Sequence, residues 1–329
     1  MAILKANSVY KVNGVKINEK IIPDGTVWED DAKAQKAGFR EGQLYKKQAK
    51  LSQETGKVKF VTIHNTDDIK NVGDDGEQYI RATYNENMGS ARVHFYVDEL
   101  GAWQNLKAGT GMCKKDPDGS AEVSWHSGDG SVKDGGNMTS LSIEIIMNDI
   151  AVHDEKALDN GARLAAWLLW KHKLDISKLV THTYWVNKSK GKTFTNVDKQ
   201  CTNMIYGEKW CPYYIFNSTS QKKALSNWKA FKKLVKGYLT KLNKQEKEKK
   251  QAEKEEAKAA QKAFKPYLVK ITSSRHEIRK KAGLDSKTVG HITDKGVYTI
   301  IKEAKADSQT WGKLKSGAGW ISLKGVKKL

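Results

Sequence analysis

Two histidines and one cysteine, far apart in the chain, have the side-chain types and settings that suggest chemistry. His64 ends the apolar run 58–63, His182 ends the short run 179–182, and Cys211 stands immediately before Pro212. Imidazole and thiolate are the donors a borderline-soft zinc ion prefers, and three protein ligands with a vacant fourth position define a catalytic rather than a structural site. Water held at such a position ionises near neutrality. Each residue also has a plain structural explanation, because a single histidine is often packed or hydrogen-bonded and a cysteine before proline can be core. Spacing this wide does not identify a metal site by itself. Glu144 is a carboxylate inside the apolar run 141–147. It is either a proton acceptor beside a metal or a partner holding a neighbouring His or Lys, since burial with no partner is costly. His94, next to Phe95 in a run of period two, reads as a packed, hydrogen-bonded residue or a pocket wall.

The elements that must position these residues alternate. Runs 58–63, 92–97 and 141–147 have strand character, and the turn at residues 98–101 is placed to fold the second run back onto 102–106 as a hairpin. Between the third run and the one ending at His182, residues 155–172 place Leu158, Ala162, Ala165 and Leu169 at helical spacing. This alternation predicts an α/β domain. Leu225, Trp228, Phe231, Val235 and Tyr238 share one helical face that would close it. From 241 to 262 the chain is almost entirely Lys, Glu, Ala and Gln with no Gly or Pro, a composition for a solvated, semi-rigid helical spacer. Beyond Pro266, short β-rich runs broken by Gly predict a small barrel. The expected organisation is an N-terminal extension over 1–56 packed on a catalytic domain over 57–240, then a charged linker over 241–265 and a small β domain over 266–329.

Composition limits the partners. The 329 residues carry a formal charge of +20, with 38% hydrophobic and 9% aromatic content, so folded domains and a polyanionic partner are expected. Nucleic acid, an anionic membrane and an anionic cell wall all satisfy that charge, but no nucleic-acid-binding signature accompanies the lysines. No apolar run is long enough to cross a bilayer, and residues 1–5 lead into polar sequence without a secretory signal. Cys113, Cys201 and Cys211 are too few and too dispersed for a disulfide framework. The expectation is synthesis in a reducing cytoplasm, with a separate exit route if the target is extracellular.

An ordered set of short motifs adds to this reading. Phe60-Val-Thr-Ile-His-Asn-Thr66 is followed by Ser90-Ala-Arg-Val-His-Phe-Tyr-Val-Asp98 with Gly101 and Gln104. Ser124-Trp-His-Ser-Gly128, Ser142-Ile-Glu-Ile145, Thr181-His182 and Lys209-Trp-Cys-Pro212 come after. Over residues 58–216 the set resembles the type-2 N-acetylmuramoyl-L-alanine amidases, the superfamily that includes the peptidoglycan recognition proteins and phage lysozymes of the amidase kind. The resemblance implies a mixed central sheet flanked by helices, with His64, His182 and Cys211 as zinc ligands, Glu144 as general base and Lys209 as oxyanion stabiliser. It places His126, with Trp125 and His94, beside the substrate. Amide hydrolysis needs these parts: a nucleophilic hydroxide, a proton acceptor that later donates, and positive charge where the tetrahedral oxygen forms.

Two departures stand out. Some relatives carry Tyr where Val93 precedes His94, which shifts the burden onto Glu144. A long insertion between His182 and Cys211 also creates a second Lys-x-Cys at Lys199-Gln-Cys201, a rival ligand; only Cys211 is followed by Pro and an aromatic run. Residues 278–283, 288–290, 296–300, 311–314 and 319–321 resemble a bacterial SH3-like domain. That implies wall binding, with Tyr298, Trp311 and Trp320 among lysines suited to sugars and carboxylates. The expected activity is a zinc-dependent endolysin that cleaves between N-acetylmuramic acid and L-alanine of peptidoglycan, reaching the wall through a holin-type lesion. Anionic wall polymers are the expected further partners. The alternatives are a bacterial autolysin of the same chemistry, a non-catalytic wall-binding protein, and a glycosidase pairing Glu144 with Asp98.

Overall fold

The structure is a computed structural model that describes residues 5–24, 49–66, 75–84, 91–204 and 210–329. It divides into two units, Met1–Gln245 and Glu246–Leu329. The first is built on a seven-stranded mixed sheet. Its strands are β1 (Ser8–Val12), β2 (Val15–Glu19), β3 (Phe60–Asn65), β4 (Phe95–Asp98), β5 (Gly101–Gln104), β6 (Ser140–Ile145) and β7 (Leu179–Thr181), in the order β1-β2-β5-β4-β6-β3-β7. β6, β3 and β7 run parallel, as do β4 with β6 and β2 with β5; the β1–β2 and β4–β5 pairs are antiparallel hairpins.

Alternation along β3 and β6 decides what lies on each face. Val61 and Ile63, with Leu141, Ile143 and Ile145, join the main core, where Ala162, Leu164, Ala165, Leu168 and Leu169 of the helix Ala151–Lys171 also lie. Thr62, His64, Ser140, Ser142 and Glu144 take the opposite face, in register across the two strands. On that second face the helix Gly76–Tyr84 packs near β4 and β5 over a smaller cluster of Ile80, Val93, Tyr96, Trp103 and Ile146. The site residues occupy the other half of the face, towards β7.

Two segments have an arrangement that the sequence pattern alone does not show. The N-terminal stretch supplies two strands of the central sheet rather than an outer wrapping. Asn13 and Gly14 both have positive φ, 46° and 88°, the combination a two-residue hairpin of matching twist requires. That turn is anchored where Asn13 Nδ2 donates to the Arg163 carbonyl at 2.9 Å. The closing helix and the charged stretch are one continuous helix, Gln221–Ala263. Trp228, Phe231, Val235 and Leu239 bury its first part in the main core. Among the described residues no helix is long and apolar enough to cross a membrane.

The second unit contains a seven-stranded antiparallel sheet: β8 (Tyr267–Ile271), β9 (His276–Arg279), β10 (Thr288–Ile292), β11 (Val297–Ala306), β12 (Gln309–Leu314), β13 (Trp320–Ser322) and β14 (Val326–Lys328). Val269, Ile271, Ile278, Ile292, Ile300, Leu314 and Ile321 form its core.

Candidate metal centre

The carboxyl ends of parallel strands are where open α/β sheets place their ligands. Here the carboxyl ends of three adjacent strands come together. His64 is the register partner of Glu144, Glu144 is the partner of Tyr96 on its other side, and Ile63 is the partner of Thr181, so that His182 follows β7 beside His64. The His64 and His182 rings have centroids 4.9 Å apart.

Cys211 reaches this row through Thr183. The hydroxyl of Thr183 accepts from the Cys211 N–H at 3.0 Å and donates to the Cys211 carbonyl at 2.9 Å, while the Thr183 N–H donates to the same carbonyl at 3.0 Å. Thr183 belongs to the helix His182–Ser189, capped where Thr181 accepts from Tyr184 N–H. One turn of helix therefore presents His182 and also holds the backbone of the thiol 29 residues later. Asn65, at the end of β3, ties in the chain beyond Cys211 by accepting from Ile215 N–H at 3.1 Å.

His64, His182 and Cys211 each offer a ligand atom, and these atoms lie within 4.8 Å of one another. His64 and Cys211 are each only 3% exposed, and His182 is partly exposed. Zinc–nitrogen and zinc–sulfur bond lengths at a tetrahedral angle require N and S about 3.6 Å apart. The observed His64 Nδ1 to Cys211 Sγ distance is 3.8 Å. Donor types and spacing both fit zinc.

A chain of hydrogen bonds fixes which His64 nitrogen faces the thiol. Ser140 Oγ has one proton and donates it to the Gly136 carbonyl at 2.8 Å, so its lone pairs accept from Thr62 Oγ1 at 2.9 Å and from His126 Nε2 at 3.1 Å. Thr62 in turn accepts from Trp185 Nε1 at 2.8 Å. With its proton on Nε2, His126 has Nδ1 free to accept, and His64 Nε2 lies 2.9 Å away. His64 thus donates through Nε2 and turns the lone pair of Nδ1 towards Cys211. Burial, and then the nearby His182 and His94, hold His126 well below the usual histidine range, which agrees with a neutral ring.

The other residues singled out from the sequence are placed as follows. Cys201 lies in the helix Val197–Thr202, fully buried and outside the ligand group, and burial pushes its thiol up to about 12. His94 is corrected from a substrate contact to an internal support. It is fully buried, its Nδ1 accepts from Ser142 N–H at 3.1 Å, and its Nε2 donates to the Glu122 carbonyl at 2.9 Å, so neither nitrogen is left for a ligand. Asp98 accepts from the N–H groups of Gly76, Leu100 and Gly101 and shapes the β4–β5 turn. Trp125 is partly buried, and its carbonyl accepts from Arg92 N–H at 3.1 Å. Ser90 and Lys209 lie outside the described residues. Sequence reasoning missed Thr183, Ser140 and Tyr96. Tyr96 stacks on Tyr79 with centroids 5.5 Å apart and shares a 2.7 Å hydrogen bond with Thr83. The charge of Glu144 is felt at its hydroxyl, which burial first of all holds in the neutral form.

Residues 54–213 match the family model of the N-acetylmuramoyl-L-alanine amidases. Among solved structures, the PlyG catalytic domain is 20% identical, covering 68% of this chain and 94% of its own, with a TM-score of 0.42. A mutant endolysin from Bacillus subtilis is 24% identical, covering 67% and 99%, with a TM-score of 0.41. The Staphylococcus aureus hydrolase AmiA in complex with its ligand is 16% identical, covering 68% and 98%, with a TM-score of 0.40. No curated protein matches the chain.

Proposed function

We propose that the N-terminal unit is a zinc-dependent hydrolase of the amide between N-acetylmuramic acid and L-alanine in peptidoglycan, and that the whole chain acts as an endolysin. The observation that carries the reading is the convergence of His64, His182 and Cys211 within 4.8 Å, inside a segment that matches the amidase family. Zinc held there supplies a polarised carbonyl and a water that ionises near neutrality.

The side chains divide the remaining work. Glu144, beside His64 in register, takes the proton from the attacking water and returns it to the leaving amine. Lys209 contributes positive charge where the tetrahedral oxygen forms. Trp125 faces the sugar or stem peptide. We give His126 the task of orienting His64 rather than of touching substrate, because its two nitrogens are engaged by His64 and Ser140. The C-terminal unit is the wall-binding part. A holin-type lesion is the route to the wall.

Digestion of purified walls with and without chelator tests the reading. Metal-dependent release of stem peptides with L-alanine at a new amino terminus, and no new reducing ends, is the expected result. New reducing ends would instead identify a glycosidase. Zinc bound with no product of either kind would identify a binding protein.

A further inference from the structure

The second unit contains a cleft that the amidase chemistry does not use. It has a volume of about 410 Å³ and is lined by Lys280, Lys287, Val289, Lys313 and Trp320, with residues 317–319 at its rim. Register explains how these residues meet. Trp320 on β13 pairs with Lys313 on β12 and with Arg279 on β9, and the N–H of Lys280 donates to the Lys287 carbonyl at 2.9 Å across the β9–β10 connection. The turn before Trp320 closes tightly on β9. Gly319 has φ +147°, and a Cβ there would lie 2.5 Å from the Arg279 carbonyl oxygen, so only glycine lets Trp320 sit at this place.

Three properties of the cleft point to one kind of ligand. Trp320 is partly exposed and lines the cleft, unlike Trp311, which is 2% exposed and belongs to the interior; an accessible indole on a concave surface suits the C–H side of a sugar or polyol. Lys280, Lys287 and Lys313 form no ion pair among the described residues. They stand in a segment, 266–329, with fourteen Lys or Arg against five Asp or Glu, so repulsion among them is relieved by a bound anion. All three cations lining the cleft are lysines. Ammonium groups act as point charges without the planar fork that selects a carboxylate, which suits phosphates repeated along a flexible chain.

We propose that this cleft binds a phosphodiester-linked sugar or polyol polymer of the cell wall, with the indole of Trp320 against the polyol and the three lysines on successive phosphates. The proposal deepens the wall-binding part of the function proposed above and rests on it. It is independent of the amidase step.

Co-sedimentation of the full-length chain with purified walls tests it, using walls as isolated and the same walls stripped of phosphodiester polymers by hydrofluoric acid. One variant replaces Lys280, Lys287 and Lys313 by Glu. A control replaces Lys270, Lys324 and Lys327, which lie outside the cleft, and a gentler version of the first uses Gln in case three reversals disturb folding. The expected result is a loss of at least tenfold in affinity for the cleft variant on intact walls, against threefold or less for the control. Stripping should lower wild-type binding to the level of the cleft variant. Equal losses in both triple variants, or undiminished wild-type binding to stripped walls, would overturn the assignment. Cleavage of a soluble muropeptide by the cleft variant should match wild type; if no chain cleaves it, the amidase reading fails while the binding result stands.

Discussion

His126→Ala should loosen zinc while leaving all three ligands in place. His64 Nε2 lies 2.9 Å from His126 Nδ1 in a setting where His64 is 3% exposed. Removing the acceptor leaves a buried N–H without its partner, a loss of about 1–3 kcal/mol. The metal-free ring can turn to recover some of that, so the penalty falls on the metal-bound state, in which Nδ1 must face Cys211. At ~1.4 kcal/mol per factor of ten, the expected weakening is about 10–100-fold, the usual effect of losing an outer partner of a metal-bound histidine. Competition with a chromophoric chelator gives the dissociation constant, and the visible spectrum of the cobalt-substituted chain reports whether the ligand geometry has relaxed. Ser140→Ala, one bond further out, should produce a smaller change in the same direction. A His126→Ala chain that keeps its melting temperature without metal and binds zinc within twofold of wild type would refute the relay.

Other outcomes follow from the same geometry. Cys211→Ala should abolish stoichiometric zinc binding, whereas Cys201→Ala should retain it and lower stability by roughly 1 kcal/mol through a small core cavity; metal content and urea unfolding separate the two, and the reverse pattern would exchange their roles. Glu144→Gln should keep zinc yet lower kcat by about 10²–10⁴-fold, which release of stem-peptide amines from walls would measure. His94 links stability to acid. Burial holds its folded pKa at about 4, below the ordinary 6.5, so the unfolded chain takes up a proton first as pH falls. The contribution is constant above about pH 7 and is lost between 6.5 and 4, amounting to about 3 kcal/mol at ~1.36 kcal/mol per pH unit. Urea midpoints across that window should fall less steeply, by close to one proton, in His94→Gln.

Much of the site was legible because it is written in strand alternation. In Val61-Thr-Ile-His and Ser140-Leu-Ser-Ile-Glu, apolar and polar residues trade places at every step, which announces a sheet with one oily face and one functional face. The ligand types at the ends of two strands then suggest the metal. What sequence left hidden depends on contacts between distant segments. Nothing local marks Thr183 as the clamp on Cys211, and a histidine in a loop after Trp125 has no spacing that ties it to His64. The β1–β2 hairpin was missed for a different reason. Its signal, Asn13-Gly14 between Val12 and Val15, is present, but the lysines around it read as an extension outside the sheet. The helix runs on past residue 241 because the change from half-buried to solvated composition does not interrupt helical hydrogen bonding when neither Gly nor Pro intervenes.

The pairing of β3 with β6 has a consequence for how this domain avoids misfolding. A slip of one residue would drive His64 and Glu144 into the oily layer beneath the helix Ala151–Lys171 and strand Val61, Ile63 and Ile143 among serines and threonines. Such an arrangement forfeits metal ligation and apolar burial together. The pattern that makes the chemistry possible thereby penalises the nearest wrong alignment, and selection for activity would also preserve the strand pairing.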